Sequence, residues 1–397
     1  MSTATESIVK RLVVLATVAG LGSGIAFMLV ACGGRASAPS VRPHAAAWRI
    51  LPKAPVEIDA SLDSVWTGKE VIISSVRFGP SGNFLGSRNV AAAYNPATRA
   101  WRRLSPAPKM DNYCRRDVAW TGTEVVLWGC GQAALDPQTD TWRTLPKPPT
   151  GQGIVVWTGR EMIGWGGGCC GDAWSAGSAY DPAANTWRTL ARTPLAPSQG
   201  ALGAWTGHEV VLLVSGIDPA SGKPYPARFA RAAAYDPAND TWRRIAPLPE
   251  HGLRSGGAAV WDGHQVLVVG AGEDARATLA YNPATNRWRR LASLPSARVD
   301  VKAVWTGKRV LVWGSSSDVA ASTSPAGLAY DPTTDRWSSL PQAPLLGNGQ
   351  TVAWTGRQLI VWGGVIGTPV GTAHPEEYPK YLTDGAAYTP APERSAR

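Results

Sequence analysis

The apolar positions of this 397-residue chain fall in short continuous runs, such as Val310-Leu311-Val312-Trp313-Gly314, separated by turns rich in Gly, Pro and Asp. Such runs fit strands covered on both faces, whereas a half-exposed strand would alternate and a surface helix would show a stripe. Each run follows a tryptophan turn: Trp66-Thr67-Gly68, Trp120-Thr121-Gly122, Trp157-Thr158-Gly159, Trp205-Thr206-Gly207, Trp261-Asp262-Gly263, Trp305-Thr306-Gly307 and Trp354-Thr355-Gly356. After the run comes a turn of the type Tyr330-Asp331-Pro332-Thr333-Thr334, then a tryptophan such as Trp337 and a Leu-Pro exit. Asp or Asn before Pro favours a tight turn, because its side chain bonds the following backbone while Pro presets φ. Successive tryptophan turns lie 37 to 56 residues apart, which leaves room for four short strands per unit.

Strand order within a unit is legible from side-chain size. Small residues precede the tryptophan turns, as in Gly256-Gly257-Ala258-Ala259-Val260, and suit a crowded innermost strand near a ring axis. The outermost strand begins with Trp101, Trp142, Trp187, Trp242, Trp288 or Trp337. A further outer-strand motif, Trp48-Arg49-Ile50-Leu51-Pro52, precedes every inner strand, while the last unit stops at Tyr388-Thr389-Pro390 without one. Pairing the first segment with the last sheet closes the circle and leaves no sheet incomplete. In these residues the chain resembles the kelch family of β-propellers over about residues 47–390. The resemblance implies an all-β fold, a seven-bladed kelch-like β-propeller closed by an N-terminal outer strand joining the last blade. The family's Gly-Gly is kept at Gly166-Gly167 and Gly363-Gly364 and degenerates to Gly129-Cys130, Gly270-Ala271 and Gly314-Ser315.

Eighteen of the 19 tryptophans occupy repeat positions, so they read as packing residues rather than as sugar- or base-stacking platforms. Trp174 alone stands outside the register. Beyond the first 31 residues the other aromatics left over are Tyr113, Tyr225, Tyr378, Tyr381, Phe78, Phe84 and Phe229, all in loops after second or fourth strands. Strand alternation places those loops on the face opposite the tryptophan turns, which makes that face the expected ligand face. Segments entering the inner strands there lean basic, with Arg115-Arg116-Asp117, His251 near Arg254, and Arg298 to Lys302, while Arg228 and Arg231 flank a second-strand loop. Arg298 reads as a packing residue. The binding candidates are Tyr113, Arg115, Arg116, Trp174, Tyr225, Arg228, Arg254, Tyr378 and Tyr381, and an anionic ligand would be drawn to them.

The overall balance of 39 Lys plus Arg against 29 Asp plus Glu gives +10, and 44% hydrophobic with 17% charged residues excludes a disordered chain. Lys10 and Arg11 precede an uncharged stretch, 12–31, that ends in Leu29-Val30-Ala31-Cys32-Gly33. This resembles a bacterial lipoprotein signal, in which Cys32 becomes the acylated first residue; an uncleaved membrane anchor is the alternative. Either places the remainder outside the cytoplasm, lipid-anchored on an envelope membrane in the first case. The expected organisation is a signal at 1–31, a lipidated Cys and flexible tether at 32–46, the propeller at 47–390 and a tail at 391–397. Nucleic acid is a poor partner for that address.

With Cys32 assigned to lipid, Cys114, Cys130, Cys169 and Cys170 remain as disulfide candidates in an oxidising compartment. Cys114 and Cys130 flank the turn at Thr121-Gly122-Thr123 symmetrically, and Cys169-Cys170 could form a vicinal bridge; two free thiols, or a Cys130 link to one of that pair, are the alternatives. Galactose oxidase is an enzymatic relative of the larger kelch-type propellers, and that resemblance implies a copper site of Tyr and His ligands with a Tyr-Cys crosslink. Of the five histidines, His208 and His264 sit in turns of the wrong face and His44 in the tether, leaving His251 and His374, too few for that site. No cofactor or metal is therefore expected. The reading is a binding or scaffolding module of the cell envelope, its partner an envelope protein or glycan. A carbohydrate-active enzyme of mutarotase or lyase type and a structural spacer are the alternatives.

Overall fold

The computed structural model describes residues 46–58, 63–77, 88–108, 117–129, 131–150, 153–168, 171–249, 253, 256–272, 275–316, 327–366 and 380–391. Among them every regular element is a β-strand, and the strands form seven four-stranded antiparallel sheets plus a small two-stranded ribbon. The sheets are the blades of a seven-bladed propeller: blade 1 spans 63–104, blade 2 117–144, blade 3 154–189, blade 4 201–244, blade 5 258–291 and blade 6 298–339. Blade 7 takes three strands from 351–389 and its outer strand from Ala47–Ile50, which pairs antiparallel with Gly385–Thr389 and sets Trp48 opposite Tyr388. The closure expected from the two ends of the chain is therefore present.

Inner strands meet their neighbours all the way round, including Asp63–Trp66 against Thr351–Trp354. At that seam the Ser64 hydroxyl lies 2.5 Å from Thr351 Oγ1 and donates to the Val352 carbonyl at 3.1 Å. The core consists of layers between adjacent blades, because each second and third strand is covered on both sides. Val211, Leu213 and Ala234 of blade 4, for example, pack with Val266, Val268, Leu279 and Tyr281 of blade 5. Trp128, Trp165, Trp313 and Trp362 are fully buried within these layers. Glycine makes room for them: a Cβ on Gly164 would lie 2.1 Å from Trp128 Cζ2, and one on Gly385 2.5 Å from Trp362 Cδ1.

The tryptophan turn owes its spelling to threonine. In blade 1, Thr67 Oγ1 donates to the Glu70 carbonyl and accepts the Glu70 N–H, both at 3.0 Å, and equivalent bonds recur at Thr121, Thr158, Thr206, Thr306 and Thr355. Asp262 replaces the threonine in blade 5 and accepts from the His264 and Gln265 N–H groups, both at 2.8 Å, so the exception keeps the turn.

Outer-strand tryptophans do more than fill space. All seven indole N–H groups donate backwards to a carbonyl in the exit of the preceding blade: Trp48 to Pro341, Trp101 to Pro52, Trp142 to Ser105, Trp187 to Pro146, Trp242 to Ala191, Trp288 to Ala246 and Trp337 to Ala292, at 2.7–2.9 Å. In four blades the same exit residue is held at its N–H too. Ser105, Ala191, Ala246 and Ala292 donate to Asp140, Asp240, Asn286 and Asp335, acceptors at the left-handed turn position with φ between 50° and 56°. Proline exits have no N–H to give; opposite Pro52 the left-handed position is Arg99, and opposite Pro146 it is Asn185. Tyr180, Tyr235, Tyr281 and Tyr330 complete the latch by donating their hydroxyls to the acceptor five residues on.

Candidate functional site

Alternation of strand direction puts the tryptophan turns on one face and the loops after second and fourth strands on the other. On that second face the loops of blades 3 and 4 are tied into one ledge. The segment between these blades runs between both loops: Ser198 bridges antiparallel to Trp174 on one side and Leu195 parallel to Ala230 on the other. Main-chain bonds hold it there, among them Ser198 N–H to the Trp174 carbonyl, Gly167 N–H to Ser198, Ala196 N–H to Ala230 and Ala230 N–H to Pro194, at 2.8–3.0 Å. Gly166, Gly167 and Gly168 all have φ between 75° and 123°, and a Cβ on Gly168 would sit 2.3 Å from the Asp172 carbonyl oxygen. The turn that presents Trp174 therefore depends on glycine.

Side chains on the ledge are of two kinds. Trp174 is 41% exposed and Ile217 37%; the other exposed large apolar residues among those described are Ile50 and Leu346, which lie elsewhere. Tyr225 and Phe229 are half-buried, meet edge to face at 5.9 Å, and pack onto the core layer containing Leu195 and Ala196. The Arg228 guanidinium lies 4.9 Å above the Phe229 ring, and Arg244 of the outer strand donates to the Arg228 carbonyl. Neither guanidinium has a carboxylate partner among the described residues. Burial and then the nearby Asp218 carboxylate push the Tyr225 hydroxyl above its usual range, while the Ser221 hydroxyl, 2.6 Å away, holds Asp218 below its own. Arg231 is withdrawn beneath, donating to the Ser215 carbonyl at 3.1 Å, and burial lowers its pKa.

Of the residues singled out from the sequence, Trp174 stands on the loop of blade 3 and Tyr225 and Arg228 on the loop of blade 4, both loops tied to the segment 194–198. Tyr381 does not join them: it pairs with Val365 in the ribbon of blade 7, across the ring. Tyr113, Arg115, Arg116, Arg254 and Tyr378 lie outside the described residues, as do Cys32, Cys114, Cys130, Cys169 and Cys170. The blade 2 hairpin pairs Asp117 with Trp128 and Trp120 with Val125, a register one residue off the symmetry on which a directly opposed Cys114–Cys130 pair relies. Arg298 is buried and donates to the Gly314 carbonyl at 2.8 Å, in keeping with a packing role. Arg244 and Ile217 were missed, because the repeat register assigns Arg244 to an outer strand and nothing local marks Ile217 as exposed.

A second polar feature lies near the axis on the same face. The inner strand of blade 6 carries a β-bulge between Val299 and Lys302, and Asp300 within it has φ 52°. A bulge re-aims side chains, and here Lys302 Nζ meets Asp300 Oδ1 at 2.5 Å, both half exposed.

No protein-family model matches this chain, and no curated protein matches it. Among solved structures it is similar to one described as a novel fungal alcohol oxidase with catalytic diversity among the AA5 family, in complex with copper, with a TM-score of 0.64 and 16% identity over 87% of this chain and 77% of that one. No three His, Cys, Asp or Glu side chains gather as a metal site among the described residues, and His208 and His264 stand in tryptophan turns on the opposite face. At that identity the likeness carries the architecture alone, a β-propeller.

Proposed function

We propose that this chain is a binding module that docks a macromolecular partner on the ledge of blades 3 and 4. The observation that carries the reading is Trp174, a large ring left exposed although its own N–H and carbonyl are bonded to Gly167 and Ser198. Rigid exposed aromatics beside arginine are the residues that dominate recognition energetics, since little side-chain entropy is lost when they are covered. The sequence at Cys32 supports an envelope address, with acyl chains tethering the propeller to a membrane. Intact mass after membrane extraction tests the anchor: a chain starting at an acylated Cys32 is expected, and an unmodified chain starting at Met1 refutes lipidation.

Docking is tested by retention of envelope proteins and glycans on the immobilised full chain, followed by titration of the retained species. Trp174→Ala should weaken binding by about thirtyfold, the range of an interface hot spot, whereas Lys308→Ala on the opposite face should leave it unchanged. Equal loss in both variants, or none in either, defeats the reading. Asp300 and Lys302 favour a second reading, a carbohydrate-active enzyme, because a carboxylate at a left-handed, bulged position is a place where proteins keep strain for chemistry. Turnover on a glycan panel, abolished by Asp300→Asn, would support it.

A further inference from the structure

The seam that closes the ring carries a groove of about 380 Å³ on the loop face, distant from the ledge. Its walls come from the two ends of the propeller. Leu51 and Lys53 follow the N-terminal outer strand; Lys380, Tyr381, Leu382, Thr383 and Asp384 precede the last strand of blade 7. Main-chain bonds fix both walls: Leu51 N–H donates to the Gly385 carbonyl at 2.8 Å, Leu382 N–H to Gly364 at 2.9 Å and Gly363 N–H to Asp384 at 2.8 Å. The floor is apolar, with buried Leu51 and half-buried Tyr381 and Leu382, and Tyr381 packs on the layer of Val56 and Ile58. The rim carries two cations and one anion: Lys53, Lys380 and Asp384 are exposed, and neither lysine has an ion-pair partner among the described residues.

We infer that this groove binds a small amphiphilic carboxylate, its apolar body on Leu51, Tyr381 and Leu382 and its anionic head between Lys53 and Lys380, and that occupancy locks the ring shut. Two ammonium groups over an apolar floor complement one negative head on one apolar body, since a charge-assisted bond at the rim adds to the area removed from water on the floor. Asp384 at the same rim repels a second negative charge, so polyanions are disfavoured. Ring locking follows from the topology. Leu51 N–H is held by Gly385 of the last blade while the Pro52 carbonyl is held by Trp101 of blade 1, so the groove bridges the seam and opening the seam separates its two walls. A ligand that binds only the closed ring raises its stability by mass action.

The test uses the full chain with hexanoate and benzoate as probes, and hexanamide and benzamide as neutral counterparts. At a hundred times the dissociation constant either carboxylate should raise the thermal midpoint by about 4 °C and slow amide exchange in residues 47–52. The amides should do neither. Lys53→Gln combined with Lys380→Gln, both exposed, should leave the ligand-free midpoint unchanged and abolish the rise. The site is overturned if neither carboxylate raises the midpoint, if the amides raise it equally, or if the double variant retains the effect. A rise without added protection of 47–52 overturns the locking.

Discussion

Trp48 offers the most direct test of how the ring is held. Its indole donates to the Pro341 carbonyl at 2.7 Å and its rings meet Trp313 at 5.4 Å and Tyr388 at 5.2 Å. Trp48 is half-buried, so truncation to alanine exposes roughly 100 Å² of apolar contact, about 2.5 kcal/mol. The lost hydrogen bond adds about 1 kcal/mol, and the aromatic contacts bring the loss to about 3–5 kcal/mol, the range for large-to-small changes at tryptophan. Trp337 is the internal control, for it makes the same bond to Ala292 at 2.8 Å and the same tilted contact with Tyr330 at 5.0 Å. Urea denaturation followed by far-ultraviolet circular dichroism should give Trp48→Ala and Trp337→Ala losses within about 1 kcal/mol of each other. A loss below about 0.5 kcal/mol at Trp48, with the full loss at Trp337, would refute closure by the N-terminal strand, because that is the scatter of an ordinary surface change.

Gly164→Ala should lower the urea midpoint by an amount equivalent to about 1–3 kcal/mol, since its Cβ would overlap the Trp128 ring and the buried layer has no slack. Thr206→Val should cost about 1 kcal/mol by the same assay, through loss of the two bonds to Glu209 at 3.0 and 3.1 Å. Asp240 is held below the usual carboxylate range against the cost of its burial, chiefly by the Tyr235 hydroxyl, then by Ala191 N–H and Arg188. A depressed native pKa means that its contribution is present above the unfolded value and lost as pH falls through the native one. Asp240→Asn should therefore flatten the acid limb of a stability–pH profile; an unchanged limb would show that Asp240 does not contribute.

What the sequence discloses is what local chemistry writes. The tryptophan turns could be counted because threonine, or Asp262 in blade 5, staples each one within four residues, and closure could be inferred because an outer strand is missing at one end and spare at the other. The inter-blade latch was hidden for a different reason. Trp242 reaches the carbonyl of Ala191, 51 residues away, and a main-chain acceptor has no residue type to recognise. At the ledge, Trp174 was visible as the single tryptophan out of register, and Tyr225 and Arg228 as loop residues left over by the repeat. Arg244, Ile217, Lys53 and Lys380 were not, because exposure and freedom from partners belong to the folded surface.

The backward reach of the seven indoles gives assembly a direction. Six of them grip a carbonyl that precedes them in the chain, so each blade can fasten to one already synthesised as the polypeptide emerges. Trp48 is the exception, for its acceptor, Pro341, arrives almost three hundred residues later. Until then the first strand has only its contacts to blade 1, such as Arg49 with the Tyr94 hydroxyl, and an unpaired edge that is open to aggregation until the last blade covers it.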